Sequence, residues 1–227
     1  IVFKGEDKVE HRLTYAQLYD AVSITAQALS KQGVKKGDRV AAFLPNLPDT
    51  IIFMLAATSL GALWSSCSPD FGTQGVLDRF GQIKPKILRG VDGYFYNGKQ
   101  IDTTQKLGEI ASSLGSLKKV VVVPYTTSKP KITVIKKSIH LHDFVKPFKP
   151  GQIKFEQVPF NHPLFIMFSS GTTGVPKCIV HGHGGTLLQH LKEHRLHTDL
   201  KVGDRFFYFT TCGWMMWNWL VSGLASG

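Results

Sequence analysis

Val40-Ala41-Ala42-Phe43-Leu44-Pro45-Asn46-Leu47-Pro48-Asp49 is the stretch that decides the fold. Its first five residues are apolar without alternation, which reads as a strand buried on both faces. Pro45-Asn46 stops the strand. Pro48 suits the first position of a helix, and Asp49 favours that helix's positive end. The helix runs through Phe53, Leu55 and Ala56 to Leu60-Gly61. Ala62-Leu63-Trp64 then opens a second strand, closed by Ser68-Pro69.

The same alternation extends outward. Before the first strand, Thr14 and Gln17 form a capping-box signature. They open an apolar-periodic helix through Leu18, Ala21, Val22, Thr25, Ala28 and Leu29 that ends at Gly33. After the second strand come a helix over 73–83, a strand over 86–88, a helix over 104–114 and a strand over 120–123. Pro130, Pro147, Pro150 and Gly151 break residues 125–158 into loops, with one short strand expected over 132–135. Pro163 to Phe168 and Cys178 to His181 read as strands. Gly184-Gly185 reads as a turn, Thr186 as the cap of a helix to about His197, and 206–210 as an aromatic strand. The pattern predicts an α/β chain with layered, mostly parallel sheets and helices on both faces. It divides into a first α/β portion over 1–159 and a second portion over 160–227.

The composition sets limits. The hydrophobic fraction of 43% and charged fraction of 19% in 227 residues allow a sizeable core and exclude disorder as the main state. No run of ~18 uncharged apolar residues is present, which argues against integral membrane association. The three cysteines, Cys67, Cys178 and Cys212, form no CxxC pair and suit a reducing cytosol. The first residue is not Met, and the apolar stretch from Trp214 to Leu224 reaches the end unpaired, so a piece of a longer protein is expected.

The net charge of +11 raises the question of nucleic acid. Residues 1–83 balance at zero, residues 84–154 carry +10, and residues 155–227 carry +1. Most of the excess is Lys rather than the Arg and aromatics of a nucleic-acid reader. The expectation is therefore a solvated Lys-rich surface and no nucleic-acid partner.

The chemistry concentrates in Ser169-Ser170-Gly171-Thr172-Thr173-Gly174-Val175-Pro176-Lys177. Two glycines let backbone N–H groups approach phosphate oxygens, four hydroxyls add donors, and Lys177 adds charge. A preceding strand presents the loop where open α/β sheets bind ligands. It is not a Walker A loop, because Val175-Pro176 separate Gly174 from Lys177 and Cys178 replaces the magnesium-binding hydroxyl. The ordinary alternative is a flexible polar loop.

This string resembles the phosphate loop of the adenylate-forming enzymes, which include acyl-CoA synthetases, luciferases and peptide-synthetase adenylation domains. Leu13 to Leu18, Gly37-Asp38-Arg39-Val40 and Leu44-Pro45-Asn46 resemble the start of their N-terminal domain. The stretches from Ser68 to Gly72, Ile83 to Lys86, His162 to Lys177 and Gly213 to Trp219 are similar to the members that activate acetoacetate. The resemblance implies an incomplete N-terminal adenylation domain, with the C-terminal lid domain absent. It implies an ATP-dependent acid–CoA ligase working through an acyl-adenylate, with acetoacetate, ATP and coenzyme A as small-molecule substrates and Mg2+ as cofactor. A role in supplying sterol and fatty-acid synthesis follows from the same resemblance.

Carried over residue by residue, Thr172, Thr173 and Lys177 match positions for the β- and γ-phosphates. Ser169, Ser170, Gly171 and Gly174 shape the loop. Trp214, Met215, Met216 and Trp217 are acyl-pocket candidates, with a Met- and aromatic-rich core helix as the equal alternative. Thr211 stands where the acetyl-activating branch has an acidic residue, which leaves the acid open. His181 matches a histidine of that branch and is expected to order the site. His190, His194 and His197 share one helix face, but their spacing is not His-Glu-x-x-His, and no metal is expected there. Cys178 and Cys212 read as small packing residues. The family's magnesium-binding Thr-Glu, ribose-binding Asp, hinge and C-terminal lysine are not in these residues, so no catalytic residue is assigned and the chain alone is expected to be inactive. Two other readings stand beside this one: a ligase for another short acid, and a non-catalytic protein that binds through the Lys-rich face.

Overall fold

The computed structural model describes residues 1–6, 10–170 and 174–226. The capping box is present as predicted: the Thr14 hydroxyl accepts from the Gln17 backbone, and the Gln17 side chain accepts from the Thr14 N–H at 2.9 Å. It starts α1 (Tyr15–Lys31), which closes at Gly33 with a φ of +79°. A hairpin of β1 (Val2–Lys4) and β2 (Glu10–Arg12) precedes it. The deciding stretch forms β3 (Arg39–Phe43), α2 (Pro48–Ser59) and β4 (Leu63–Cys67). Then come α3 (Thr73–Ile83), β5 (Ile87–Val91), the hairpin of β6 (Gly93–Tyr96) and β7 (Lys99–Asp102), α4 (Thr104–Ser113) and β8 (Lys119–Val123).

With β9 (Ser138–His140), β10 (Pro163–Phe168) and β11 (Cys178–Gly182), seven strands form the main sheet in the order β11-β10-β4-β3-β5-β8-β9, parallel throughout except for β11 at one edge. Alternation along each strand sorts side chains to two cores. Val40, Ala42, Trp64, Val121 and Val123 meet α1 and α2, through Leu18, Val22, Leu29, Phe53 and Ala57. Ala41, Phe43, Leu88, Val120 and Val122 meet α3 and α4, through Val76, Phe80, Leu107 and Ile110. Helices therefore cover both faces, as the unbroken apolar strands require. Asp49 does more than favour its helix end. Its carboxylate accepts from the buried Arg89 guanidinium at 2.7 Å, and Arg89 also lies 4.6 Å from the Phe53 ring centroid.

Three expectations need correction. No strand covers 132–135. Ile135 N–H donates to Ile132 O in a turn that points both side chains into the second core, and the strand comes later as β9 (Ser138–His140), followed by α5 (Leu141–Val145). Residues 206–210 make no ladder, because no described strand lies alongside them; Phe207 and Phe209 are exposed. The last long helix begins earlier than expected. α6 spans His183–Lys192 with Gly182 as its cap, so Gly184-Gly185 are helical and Thr186 is buried within the helix. Gly184 serves close packing rather than a turn: a Cβ there would sit 2.2 Å from the Phe160 ring. A π-helical turn over Glu193–His197 continues α6.

Candidate functional site

β10 (Pro163–Phe168) pairs with β11 (Cys178–Gly182) in antiparallel register, with Phe168 opposite Cys178. The glycine-rich loop is thus the connection at the carboxyl end of β10, beside the carboxyl end of β4. Open α/β sheets bind ligands at this end. The neck of the loop is closed twice: Ser169 N–H donates to Lys177 O, and Lys177 N–H donates to Ser169 Oγ, both at 3.0 Å. Gly174 holds a φ of +142°, a conformation that side-chain-bearing residues rarely adopt. Gly171, Thr172 and Thr173 lie outside the described residues. Ser170, Gly174 and Lys177 are exposed, and Lys177 makes no ion pair among the described residues.

Three neighbours of this loop were not legible in the sequence. Gln82 of α3 donates to Pro176 O at 2.7 Å and straps the loop to the helix. Arg79, one turn earlier, places its guanidinium 4.6 Å from the Phe71 ring centroid and 5.9 Å from that of Phe168, the residue before the loop. Lys106 of α4 donates to Pro69 O and Phe71 O at 3.1 Å. Neither cation forms an ion pair among the described residues. Each comes from a helix whose periodicity marks it only as a surface position.

The Gly213 segment is fixed to the same end. Ser66 Oγ donates to Cys212 O at 2.6 Å, and a Cβ on Gly213 would come within 3.0 Å of Phe71. It leads into α7 (Met215–Ser222), which packs on α6. Between them lies a cavity of about 520 Å³ lined by Met215, Met216 and Trp219 from α7, Thr186, Gln189 and His190 from α6, and His181 from β11. The fold therefore brings together His181, Met215 and Met216. It separates the two tryptophans from them. Trp214 is exposed and does not line this cavity. Trp217 is fully buried, with its ring 6.5 Å from that of Trp64 and its Nε1 donating to Asn46 Oδ1 at 2.8 Å, so it is a core residue.

The histidines pin the two helices together. His190 Nδ1 lies 2.8 Å from Ser222 Oγ; His194 Nε2 lies 3.0 Å from the same oxygen and 2.9 Å from Trp219 O. His197 is exposed and joins neither contact. Burial lowers the His190 pKa to about 4, and His194 and His181 oppose its charging further, against a weaker pull from Glu193. His190 is therefore neutral in the folded protein where an unfolded histidine would bind a proton. Stability is expected to be flat above about pH 6.5, the ordinary histidine value, and to fall as pH drops from there toward 4. Thermal melts across pH 4–8 check this, and His190→Asn should flatten that part of the profile.

Burial raises the Cys67 thiol to about 12 and raises that of Cys212 as well, so both behave as packing residues. Cys178 does not: it is exposed on β11, with its sulfur 3.6 Å from Gln82 Oε1.

Comparison with known proteins gives the family and the fold. The family model described as AMP-binding enzyme matches residues 1–227. The chain is 59% identical over 228 residues to acetoacetyl-coenzyme A synthetase of Rhizobium meliloti (strain 1021), covering 100% of this chain and 35% of that protein. It is 53% identical over 221 residues to acetoacetyl-CoA synthetase of Gallus gallus, covering 95% of this chain and 33% of that one. The solved structure of acetoacetyl-CoA synthetase from Streptomyces lividans superposes with a TM-score of 0.93 at 42% identity, over 100% of this chain and 34% of that chain. The chain thus spans about a third of the length of the curated relatives it matches.

Proposed function

The chain belongs to the AMP-binding enzyme family, and on that footing we propose that the protein is an ATP-dependent ligase that joins acetoacetate to coenzyme A. The observation that carries the reading is the loop closed by Ser169 and Lys177 at the carboxyl end of β10, with a cavity between α6 and α7 lined by His181 of the adjoining β11. The loop suits a polyphosphate in its hydroxyls, its glycine backbone and its exposed lysine. The cavity, lined by two methionines and a tryptophan with a few polar groups, suits a short acid.

The reaction has two steps. A carboxylate oxygen of the acid attacks the α-phosphorus of ATP and pyrophosphate leaves, giving an acyl-adenylate. The coenzyme A sulfur then attacks the acyl carbon, loses its thiol proton, and AMP leaves. In the first step charge gathers on the departing pyrophosphate. Thr172, Thr173 and Lys177 hold the β- and γ-phosphates, while Ser169, Ser170, Gly171 and Gly174 shape the loop around them. Met215, Met216 and His181 shape the acyl pocket, Trp214 precedes the helix that carries the methionines, and Trp217 supports that helix from the core. Mg2+ is implied by the family. Among the described residues no three His, Cys, Asp or Glu side chains converge as a metal site.

We place the protein in the cytosol, on the three free cysteines; among the described residues no helix is long and apolar enough to cross a membrane. Pyrophosphate exchange by the full-length gene product, with acetoacetate, acetate and butyrate compared, tests the function. Exchange with acetoacetate above the other two is expected. Exchange with another acid but not acetoacetate overturns the substrate, and exchange with none overturns the ligase.

A further inference from the structure

The basic excess does not follow the chain segment that carries it; the sheet gathers it at one end. Lys35, Lys36 and Arg39 lead into β3, Lys84 and Lys86 into β5, Lys118 and Lys119 into β8, and Lys136 and Lys137 into β9. Backbone bonds join these lead-ins into a continuous row: Lys86 N–H donates to Arg39 O, Lys118 N–H to Lys86 O, and Val120 N–H to Lys137 O. Nine basic residues stand here against two acids, Asp38 and Glu156, for a local charge of +7 out of +11. Asp38 is taken by Lys86 and Glu156 by Lys36, each at 2.6 Å. Lys35, Lys84, Lys118, Lys119 and Lys136 make no ion pair among the described residues.

We propose that this amino-terminal end of the sheet docks the protein on an anionic lipid surface. Like charges crowded without counterions cost stability, and an external anion relieves that cost. The row spans four strands, about 14 Å at the usual ~4.8 Å spacing, and stands on rigid strand starts. These lysines are spread over the starts of four strands rather than along one segment, which suits a plane of headgroups better than a single acidic peptide. Lysine ammoniums act as point charges, and the one arginine spends its guanidinium on the carbonyls of Gly37, Ile83 and Lys84. Bidentate or stacking recognition of nucleic acid is not provided for. The glycine-rich loop lies at the opposite, carboxyl end, so docking leaves it open to solvent.

The test is co-sedimentation of the full-length gene product with vesicles of phosphatidylcholine alone or with phosphatidylserine added. Binding is expected only to the phosphatidylserine vesicles, falling steeply with salt. Reversing three face lysines together (Lys118→Glu, Lys119→Glu, Lys136→Glu) should lower it at least about tenfold. Neutralising the same three to Gln should give a smaller drop, with a melting temperature that is not lowered. Reversing Lys129, Lys131 and Lys149, with the same change in net charge elsewhere, should leave most of the binding. Equal binding to both vesicles, no binding to either, or equal loss in the two triple reversals overturns the proposal. Retention on DNA or polyglutamate without vesicle binding also overturns it, in favour of another class of partner.

Discussion

Lys177→Ala is expected to lower acetoacetate-dependent pyrophosphate exchange about 100-fold, about 2.7 kcal/mol of barrier. The side chain is exposed and its ammonium meets no carboxylate among the described residues, so folding does not depend on it. The backbone part of the neck, the two bonds with Ser169, survives the substitution. What is lost is the positive charge set against a leaving pyrophosphate. Lys177→Arg keeps that charge and should recover part of the rate. Adding Thr173→Ala to Lys177→Ala should deepen the loss by less than the product of the two single effects, because both act on the same phosphates. Exchange at the unmodified rate in Lys177→Ala, with an unchanged melting temperature, would remove the phosphate-loop assignment.

The second large effect falls on stability. Trp217→Ala removes a fully buried side chain packed on Trp64 and strips Asn46 of its donor. Large-to-small changes of this kind cost about 3–5 kcal/mol. Trp217→Phe keeps most of the apolar volume but loses the 2.8 Å hydrogen bond to Asn46, and should cost about 1–2 kcal/mol. Denaturant titration measures both. The preference among acids should stay as it is in Trp217→Phe, because this residue does not line the cavity. Met216→Ala should do the reverse, altering acid preference with a smaller stability loss. A shift of preference in Trp217→Phe alone would return that residue to the pocket.

Where structure and sequence pattern differ, the causes are specific. Asn97-Gly98 carries a local signal: both residues take positive φ, 51° and 71°, in the turn between β6 and β7, as a tight hairpin requires. The pair Gly184-Gly185 was ambiguous, since a glycine chosen for contact with Phe160 looks the same as one chosen for a turn. The aromatic run 206–210 has the composition of a strand, but a strand is a property of two segments and the described residues supply no second. Gln82, Arg79 and Lys106 carried no signal, because their contacts with the loop and its flanking turn depend on how α3 and α4 lie against the sheet.

The sequence alone determined the alternation of strand and helix, the covering of both sheet faces and the chemical character of the loop. Each is set by neighbours along the chain: apolar runs, caps and the residue types within nine positions. Tertiary structure alone decided which of Met215, Met216 and Trp217 face a cavity, which histidines bind Ser222, and that lysines spread from position 35 to 137 form one face. Those depend on strand order. A sheet that sets β3, β5, β8 and β9 side by side brings their lead-ins together across a hundred residues of sequence, and no local pattern records that adjacency.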